Sequence, residues 1–146
     1  LTWAYRVARD LPPASRLVAG FAALVAARDL LLGAATVPEQ HGAPLQLLGT
    51  DWRGSHDLGD LEQRLPRDAA WVLAGVVEPS ELWRAEVRWW RTLEDDGHDR
   101  LRQARSGPDA VMGAFEVLLA DAHRLQAALE LARWPDLAEE VIGETL

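Results

Sequence analysis

Residues 79–134 read PSELWRAEVRWWRTLEDDGHDRLRQARSGPDAVMGAFEVLLADAHRLQAALELARW, and this stretch decides the fold. A proline opens each half, at Pro79 and at Pro108, and proline is favoured in the first turn of a helix. The letters SGP between the halves are typical of a tight connector. The pattern predicts one long helix from each proline, to about residues 105 and 133, and the two helices form an antiparallel hairpin.

The second of these helices carries a heptad pattern. Its apolar residues alternate gaps of four and three, which is the spacing of a coiled-coil seam. The seam consists of Val111, Phe115, Leu118, Ala122, Leu125, Leu129 and Ala132, called here the 111–132 seam. We expect it to pack on the first helix, which has two apolar stripes. One stripe holds Trp83, Val87, Trp90, Gly97, Leu101 and Ala104, and the other holds Leu82, Ala85, Trp89 and Leu93.

The first half of the chain contains another helix, predicted from the Pro12-Pro13 pair to Leu32. Gly33 follows it, and glycine is the usual residue just past a helix C-terminus. The helix is apolar on nearly every side, so we expect it at the centre of the core. Between this helix and the hairpin, residues 34–57 are irregular and rich in glycine and proline.

Shorter elements complete the predicted fold. We expect a turn of helix over 44–48, a helix over 58–65 capped by Asp57, and a helix over 66–76, with a buried strand at 71–77 as the alternative. A last helix or tail follows Pro135. The sequence thus predicts an all-α bundle of about six helices, one domain over residues 1–146. Because the chain starts at Leu1, we expect it to be the C-terminal part of a longer protein.

Composition narrows the classes of function. The chain has 15 basic and 23 acidic residues, a formal charge of −8. Such a surface repels phosphate backbones, so we expect no nucleic-acid partner. There is no cysteine, which excludes disulfides and thiolate ligands and suits a reducing, cytoplasmic location. The longest apolar run covers only residues 17–27, too short to span a membrane. We expect no cofactor.

An acidic cluster on the first long helix is the strongest candidate for metal chemistry. Asp95 and His98 are three residues apart, and carboxylate-x-x-His pairs on helices hold di-iron and di-manganese centres. Glu116 on the opposing helix would be a further ligand. The alternative is a solvated face of ion pairs, Arg91 with Asp95, Asp96 with Arg100 and Asp99 with Arg102.

Two other polar groups lie in the irregular region. Ser55, His56 and Asp57 are the residue types of a hydrolase triad, but consecutive side chains cannot place the base between the other two. We therefore expect Ser55 or Asp57 to cap a helix. His41 and His56, with Asp51, would form a loop site for a metal or a substrate, although their spacing has no recognised signature.

The tryptophans and arginines of the first long helix are the candidates for an interface. Trp83, Trp89 and Trp90 lie close together, and tryptophan is enriched at binding hot spots. We expect Trp83 and Trp90 in the core, whereas Trp89, on the second stripe, fits an interface and the core equally well. A ladder of three arginines, spaced to grip an acidic partner or to pair with Glu81, accompanies them: Arg84, Arg88 and Arg91.

Two stretches carry a family resemblance: WVLAGVVEPSELWRAEVRWW at 71–90 and GAFEVLLADAHRLQAALELA at 113–132. They resemble the helical subunit, C or d, that couples the central shaft of V-type and archaeal-type rotary ATPases to the membrane ring. In that family an acidic residue is followed shortly by a polar residue and Leu-Arg. Asp121, His123, Arg124 and Leu125 occupy the comparable stretch here, but the chain has no asparagine for the family's Asn-Leu-Arg.

The resemblance implies a non-catalytic helical adaptor that binds other protein subunits and associates peripherally with a membrane complex. From the residues alone we expect a non-catalytic helical interaction domain. Two alternatives stay open at this point. One is a metal-binding or enzymatic domain that uses Asp95, His98 and Glu116, and the other is a dimerisation or sensory domain that forms a homodimer.

Overall fold

The computed structural model describes residues 12–33, 45–104 and 106–133. These residues form five α-helices and no strand, so the all-α prediction is confirmed. The helices are α1 (Pro12–Leu31), α2 (Leu58–Arg64), α3 (Arg67–Ala70), α4 (Leu82–Gln103) and α5 (Pro108–Arg133), with 3-10 turns at Gln46–Leu48, Asp51–Gly54 and Pro79–Glu81. None of the helices in this part of the chain is both long and apolar enough to cross a membrane.

The chain forms two compact units, residues 1–92 and 93–146. The boundary falls within α4, whose first half belongs to unit 1 and whose second half belongs to unit 2. The prediction of a single domain over the whole chain stays a prediction.

Helix α1 is central to unit 1, as predicted. Its buried positions are mostly alanine, so neighbouring elements approach its backbone closely, and α2, α3 and the turn at Gln46–Leu48 pack on it. Gly20 is the tightest point, because a Cβ there would lie 2.8 Å from Cζ2 of Trp71. The helix ends before Gly33, which has a φ of 62°. The predicted C-terminal glycine is thus confirmed.

The N-terminus of α2 is capped by Asp57, as predicted. The Asp57 carboxylate accepts a hydrogen bond from the backbone N–H of Asp60 at 2.8 Å. Asp60 in turn accepts from the backbone N–H of His56 at 3.1 Å. This reciprocal pair satisfies two backbone donors at the start of the helix. Asp57 and the backbone N–H of His56 therefore serve a helix terminus, whereas the buried Ser55 Oγ has no hydrogen-bond partner among the described residues.

The prediction of one helix over 66–76 is wrong beyond its first turn. Helix α3 stops at Ala70, and the chain then follows turns as far as Gly75, which has a φ of 71°. A left-handed residue at this position ends any helix, and glycine adopts it without steric cost. The turns bury Val72, Leu73 and Val76, so the apolar run fills the core without regular structure.

Unit 2 contains an antiparallel hairpin of the second half of α4 with α5. The helices cross at two glycines, and a Cβ at Gly113 would lie 2.8 Å from the carbonyl oxygen of Gly97. The buried residues of α5 are Gly113, Glu116 and Ala120. The expectation that the 111–132 seam faces α4 is therefore wrong. Small residues allow the helices to approach, and the large apolar residues lie on the outer side.

The close crossing predicts that alanine substitution of Gly97 and of Gly59 changes the free energy of unfolding in opposite directions. In Gly97→Ala the new Cβ would lie 2.9 Å from Cβ of Glu116 and 3.1 Å from the carbonyl oxygen of Gly113. We expect this overpacking to lower the free energy of unfolding by about 1–3 kcal/mol. Gly59→Ala in α2 is the control, because its Cβ meets only Asp57 Oδ1 at 3.4 Å.

We expect the control to stabilise the chain by up to about 1 kcal/mol, since alanine favours helix over glycine. Urea unfolding followed by far-UV circular dichroism compares the two variants. Equal effects of the same sign would contradict the tight crossing.

Three sequence predictions lie outside the described residues. They concern the irregular region 34–44, the loop-site residue His41 within it, and the last helix or tail after Pro135.

Candidate functional site

The inner face of α4 in unit 1 is fixed by buried contacts. Leu82, Ala85 and Trp89 are buried. The Trp89 indole N–H donates to the Leu17 carbonyl oxygen at 2.9 Å, and its ring lies 5.6 Å from that of Phe21. Because these residues face the core, the opposite side of α4 faces outward.

Polar contacts strengthen this orientation. Arg28 Nη2 lies 2.6 Å from Glu86 Oε1, which ties α4 to α1. Arg88 Nη1 donates to the Val72 carbonyl oxygen at 2.8 Å, so this arginine satisfies a backbone acceptor of the turns that follow α3. Arg88 is therefore committed to the fold, although it also lines the outer face.

The outer face forms an open groove of about 430 Å³. We call it the Trp83 groove, and it is lined by Trp83, Arg84, Val87, Arg88, Arg91 and Thr92. Trp83 is 58% exposed and Val87 37%, so the floor of the groove is apolar. The rim is cationic, in a chain whose formal charge is −8. An apolar floor with a cationic rim is suited to a ligand that is partly apolar and partly anionic.

The arginines of the groove differ in how far they are already paired. Arg84 bonds to Glu81, as the sequence predicted, and its guanidinium lies 5.6 Å from the centre of the Trp83 ring. Arg91 is exposed. Within the described residues no ion pair involves Arg91, so its predicted pairing with Asp95 is absent there. Arg91 is the cation in the groove that is most available to a partner.

The structure reverses the roles expected for two tryptophans. Trp83, which fitted a core position, is exposed, and Trp89, on the stripe left open to a partner, is 7% exposed. Trp90 is half-buried and lies edge-on to Trp89, with ring centres 4.8 Å apart. Sequence spacing could not decide this, because stripes that begin at 82 and at 83 are equally apolar.

The proposed metal ligands are not brought together. Asp95 and His98 are exposed, and His98 Nδ1 lies 3.0 Å from the backbone oxygen of Glu94 in the preceding turn. Glu116 is buried, and Arg100 Nε donates to its Oε2 at 2.9 Å. In the described parts of the chain, no three histidine, aspartate or glutamate side chains are placed to hold a metal ion. The predicted pair Asp99 with Arg102 is present.

Sequence reasoning identified Glu116 only as a possible ligand and missed its pairing with Arg100. Its side chain is 1% exposed, and its Oε1 has no hydrogen-bond partner. Burial raises the pKa of the Glu116 carboxyl; Arg100 opposes this shift, and nearby Asp96 adds to it. On the exposed side of the hairpin, the hydrogen bond from Arg124 lowers the pKa of Glu94.

Comparison with known proteins identifies no relative: no protein-family model, no curated protein and no solved structure matches the chain.

Proposed function

We propose that this chain is a non-catalytic helical interaction domain that binds an acidic, partly apolar segment of another protein in the Trp83 groove. The observation that carries the proposal is an exposed tryptophan beside three arginines on a chain with a formal charge of −8. Exposed tryptophan and arginine are the residue types most enriched among binding hot spots.

The chemistry of the groove determines the kind of partner. An apolar side chain of the partner would cover Trp83 and Val87, which are the exposed apolar residues of the floor. A carboxylate beside it would pair with Arg91, and arginine binds carboxylates through two parallel hydrogen bonds. A glutamate or aspartate next to a leucine or phenylalanine, on a helix or an extended strand, supplies both groups.

The distribution of polar groups supports a binding role over a catalytic one. Two of the described residues that the sequence offered for chemistry have structural partners: Asp57 caps α2, and Glu116 pairs with Arg100. Asp95 and His98 face solvent. Chemistry needs a nucleophile, a base and a stabilising donor that converge on one position, and these groups do not converge.

A rotary-ATPase coupling subunit is a narrower form of the same proposal. It rests on the resemblance at 71–90 and 113–132. On this hypothesis the chain is cytoplasmic and attaches peripherally to a membrane complex, and its partner is a shaft or ring subunit. The first resembling stretch includes Trp83 and Val87, so the groove would be one of its contact surfaces.

The proposal predicts that two substitutions on the groove weaken capture of the same partner. Trp83→Ala removes the apolar floor, and Arg91→Glu reverses the charge of the free cation. We expect each to reduce the recovered partner at least about tenfold, because hot-spot side chains contribute about 2 kcal/mol or more. The measurement is quantitative mass spectrometry of proteins captured by the tagged full chain from native lysate with detergent-solubilised membranes.

Two variants in unit 1 serve as matched controls. Val77→Ala removes another exposed apolar side chain, and Arg67→Glu reverses the charge of another exposed arginine. Neither residue lines the groove, so both variants should capture the partner normally. A partner that binds Trp83→Ala and Arg91→Glu as well as the unsubstituted chain would refute the groove assignment. Shaft or ring subunits among groove-dependent proteins would support the narrower hypothesis.

A further inference from the structure

The outer side of α5 is an apolar surface that α4 does not cover. Its five large seam residues, Val111, Phe115, Leu118, Leu125 and Leu129, are 69%, 49%, 67%, 62% and 57% exposed. The face of α5 that contacts α4 carries Gly113 and Glu116 instead. An uninterrupted heptad seam exposed over the length of a helix is the pattern of a coiled-coil strand without its partner.

The second half of α5 has little lateral support. Every side chain over residues 121–133 is exposed, although the helix continues to Arg133. Isolated helices shorter than about 12–15 residues are marginal in water, and most helical stability in proteins comes from packing of an apolar face. A helix that packs along the seam would supply this stabilisation.

The charges around the seam are compatible with a second copy of the chain as the occupant. The seam itself contains no charged residue. At the positions that flank it on either side, the e and g positions of the heptad, the only charged residues are Asp121 and Arg133. Asp121 pairs with Arg124 at 3.2 Å and Arg133 with Glu130 at 3.1 Å, so each is neutralised on its own helix. Flanking charges usually select coiled-coil partners and exclude wrong ones. Here no flanking charge excludes self-pairing, despite the acidic surface elsewhere.

The available area is sufficient for a weakly associating pair. The seam runs over residues 111–132, about 32 Å of helix. Its five large side chains present on the order of 500 Å² per copy, so two copies would bury roughly 1,000 Å². This is near the lower limit for specific interfaces.

We infer that two copies of the chain associate through their 111–132 seams as a two-stranded coiled coil. The same surface is used by both copies, so the assembly closes as a symmetric dimer. None of the groove residues lies on α5, so this inference and the proposed function rest on different residues.

Sedimentation equilibrium of the purified full chain tests this inference. We expect the mass to rise from 16.1 kDa toward twice that value as concentration increases from about 1 µM to about 1 mM, the range expected for a small interface. Leu118→Glu with Leu125→Glu places two carboxylates in the seam of each copy. We expect this variant to weaken association at least about 100-fold and to remain at 16.1 kDa.

Leu131→Glu is the matched control. Leu131 is also an exposed leucine of α5, but it lies outside the seam, so this variant should dimerise normally. Far-UV circular dichroism, which reports the helix content of both units, shows whether each variant is folded. Trp83→Ala should also dimerise normally, which separates this inference from the proposed function.

Three results would overturn the inference. The first is an unsubstituted chain that stays at 16.1 kDa throughout, because the seam would then serve a different protein. The second is a dimer that tolerates the two glutamates, since another surface would hold it. The third is a Leu131→Glu variant that is as monomeric as the seam variant, because the loss would then not be specific to the seam.

Discussion

Trp89→Ala should lower the free energy of unfolding by about 3–5 kcal/mol, the range for tryptophan removed from a core. The indole is 7% exposed, and its N–H donates to the Leu17 carbonyl oxygen at 2.9 Å. It also lies against α1 so closely that a Cβ at Gly20 would be 3.2 Å from Trp89 Cδ1. Alanine would leave a cavity there and would remove the hydrogen bond.

Urea unfolding monitored by far-UV circular dichroism measures this effect. A loss of this size should lower the thermal midpoint by on the order of 10 °C or more. Trp83→Ala is the matched control, because Trp83 is 58% exposed and surface substitutions usually cost less than about 0.5 kcal/mol. The two variants should therefore act oppositely: one should affect stability and spare binding, and the other should affect binding and spare stability. Equal stability losses would contradict the assignment of the two faces of α4.

Arg100→Met should destabilise the chain by about 3–5 kcal/mol at pH 7, the usual effect of removing one partner of a buried ion pair. Glu116 is 1% exposed, and Arg100 supplies its hydrogen bond at 2.9 Å. Its other carboxylate oxygen already has no partner. Methionine preserves much of the arginine's volume, so the main change is an unpaired buried charge.

The effect of Arg100→Met should depend on pH. Burial already raises the pKa of Glu116 above its ordinary value of 4.5, and loss of Arg100 raises the pKa further. The folded state then holds the proton more tightly than the unfolded state. The associated stability is present below pH 4.5 and is lost as the pH rises through the folded-state pKa. The difference between Arg100→Met and the unsubstituted chain should therefore be small at pH 4 and large at pH 7.

Two further variants make this prediction specific. Arg102→Met removes an exposed arginine that pairs with exposed Asp99, and exposed pairs contribute at most about 1 kcal/mol. Adding Glu116→Leu to Arg100→Met should restore stability, because an apolar pair can replace a buried ion pair at little cost. The interpretation fails if Arg100→Met is as destabilising at pH 4 as at pH 7, or if the double variant is not rescued.

The helix positions were largely predictable because local residues set them. Gly33 ends α1, Asp57 caps α2 and Pro108 opens α5, and each acts through its own backbone or side chain. The apolar run at 71–77 was not predictable, since its spacing is equally consistent with helix, strand and buried turns.

The orientation of the long helices was not predictable for a different reason. A heptad pattern indicates that an apolar face packs against another helix, but it does not determine which helix. Helix α4 meets α5 through Gly97 and Gly113; Gly97 lay on a predicted stripe of α4, whereas Gly113 lay outside the predicted seam of α5. For the candidate site, the arginines were found, but the exposure of Trp83 depends on which side of α4 packs on α1.

The inner face of α5 also determines how stability responds to temperature. Exposure of apolar surface gives unfolding its positive heat capacity. The residues that α5 buries, Gly113, Glu116 and Ala120, carry few apolar atoms. Unfolding the hairpin of a single chain therefore exposes little apolar surface from these positions. The stability of that hairpin therefore changes only gently between cold and warm conditions. Association through the seam would add a negative heat-capacity change. The free energy of unfolding of the paired form would therefore stay near its maximum over a narrower range of temperature than that of the single chain.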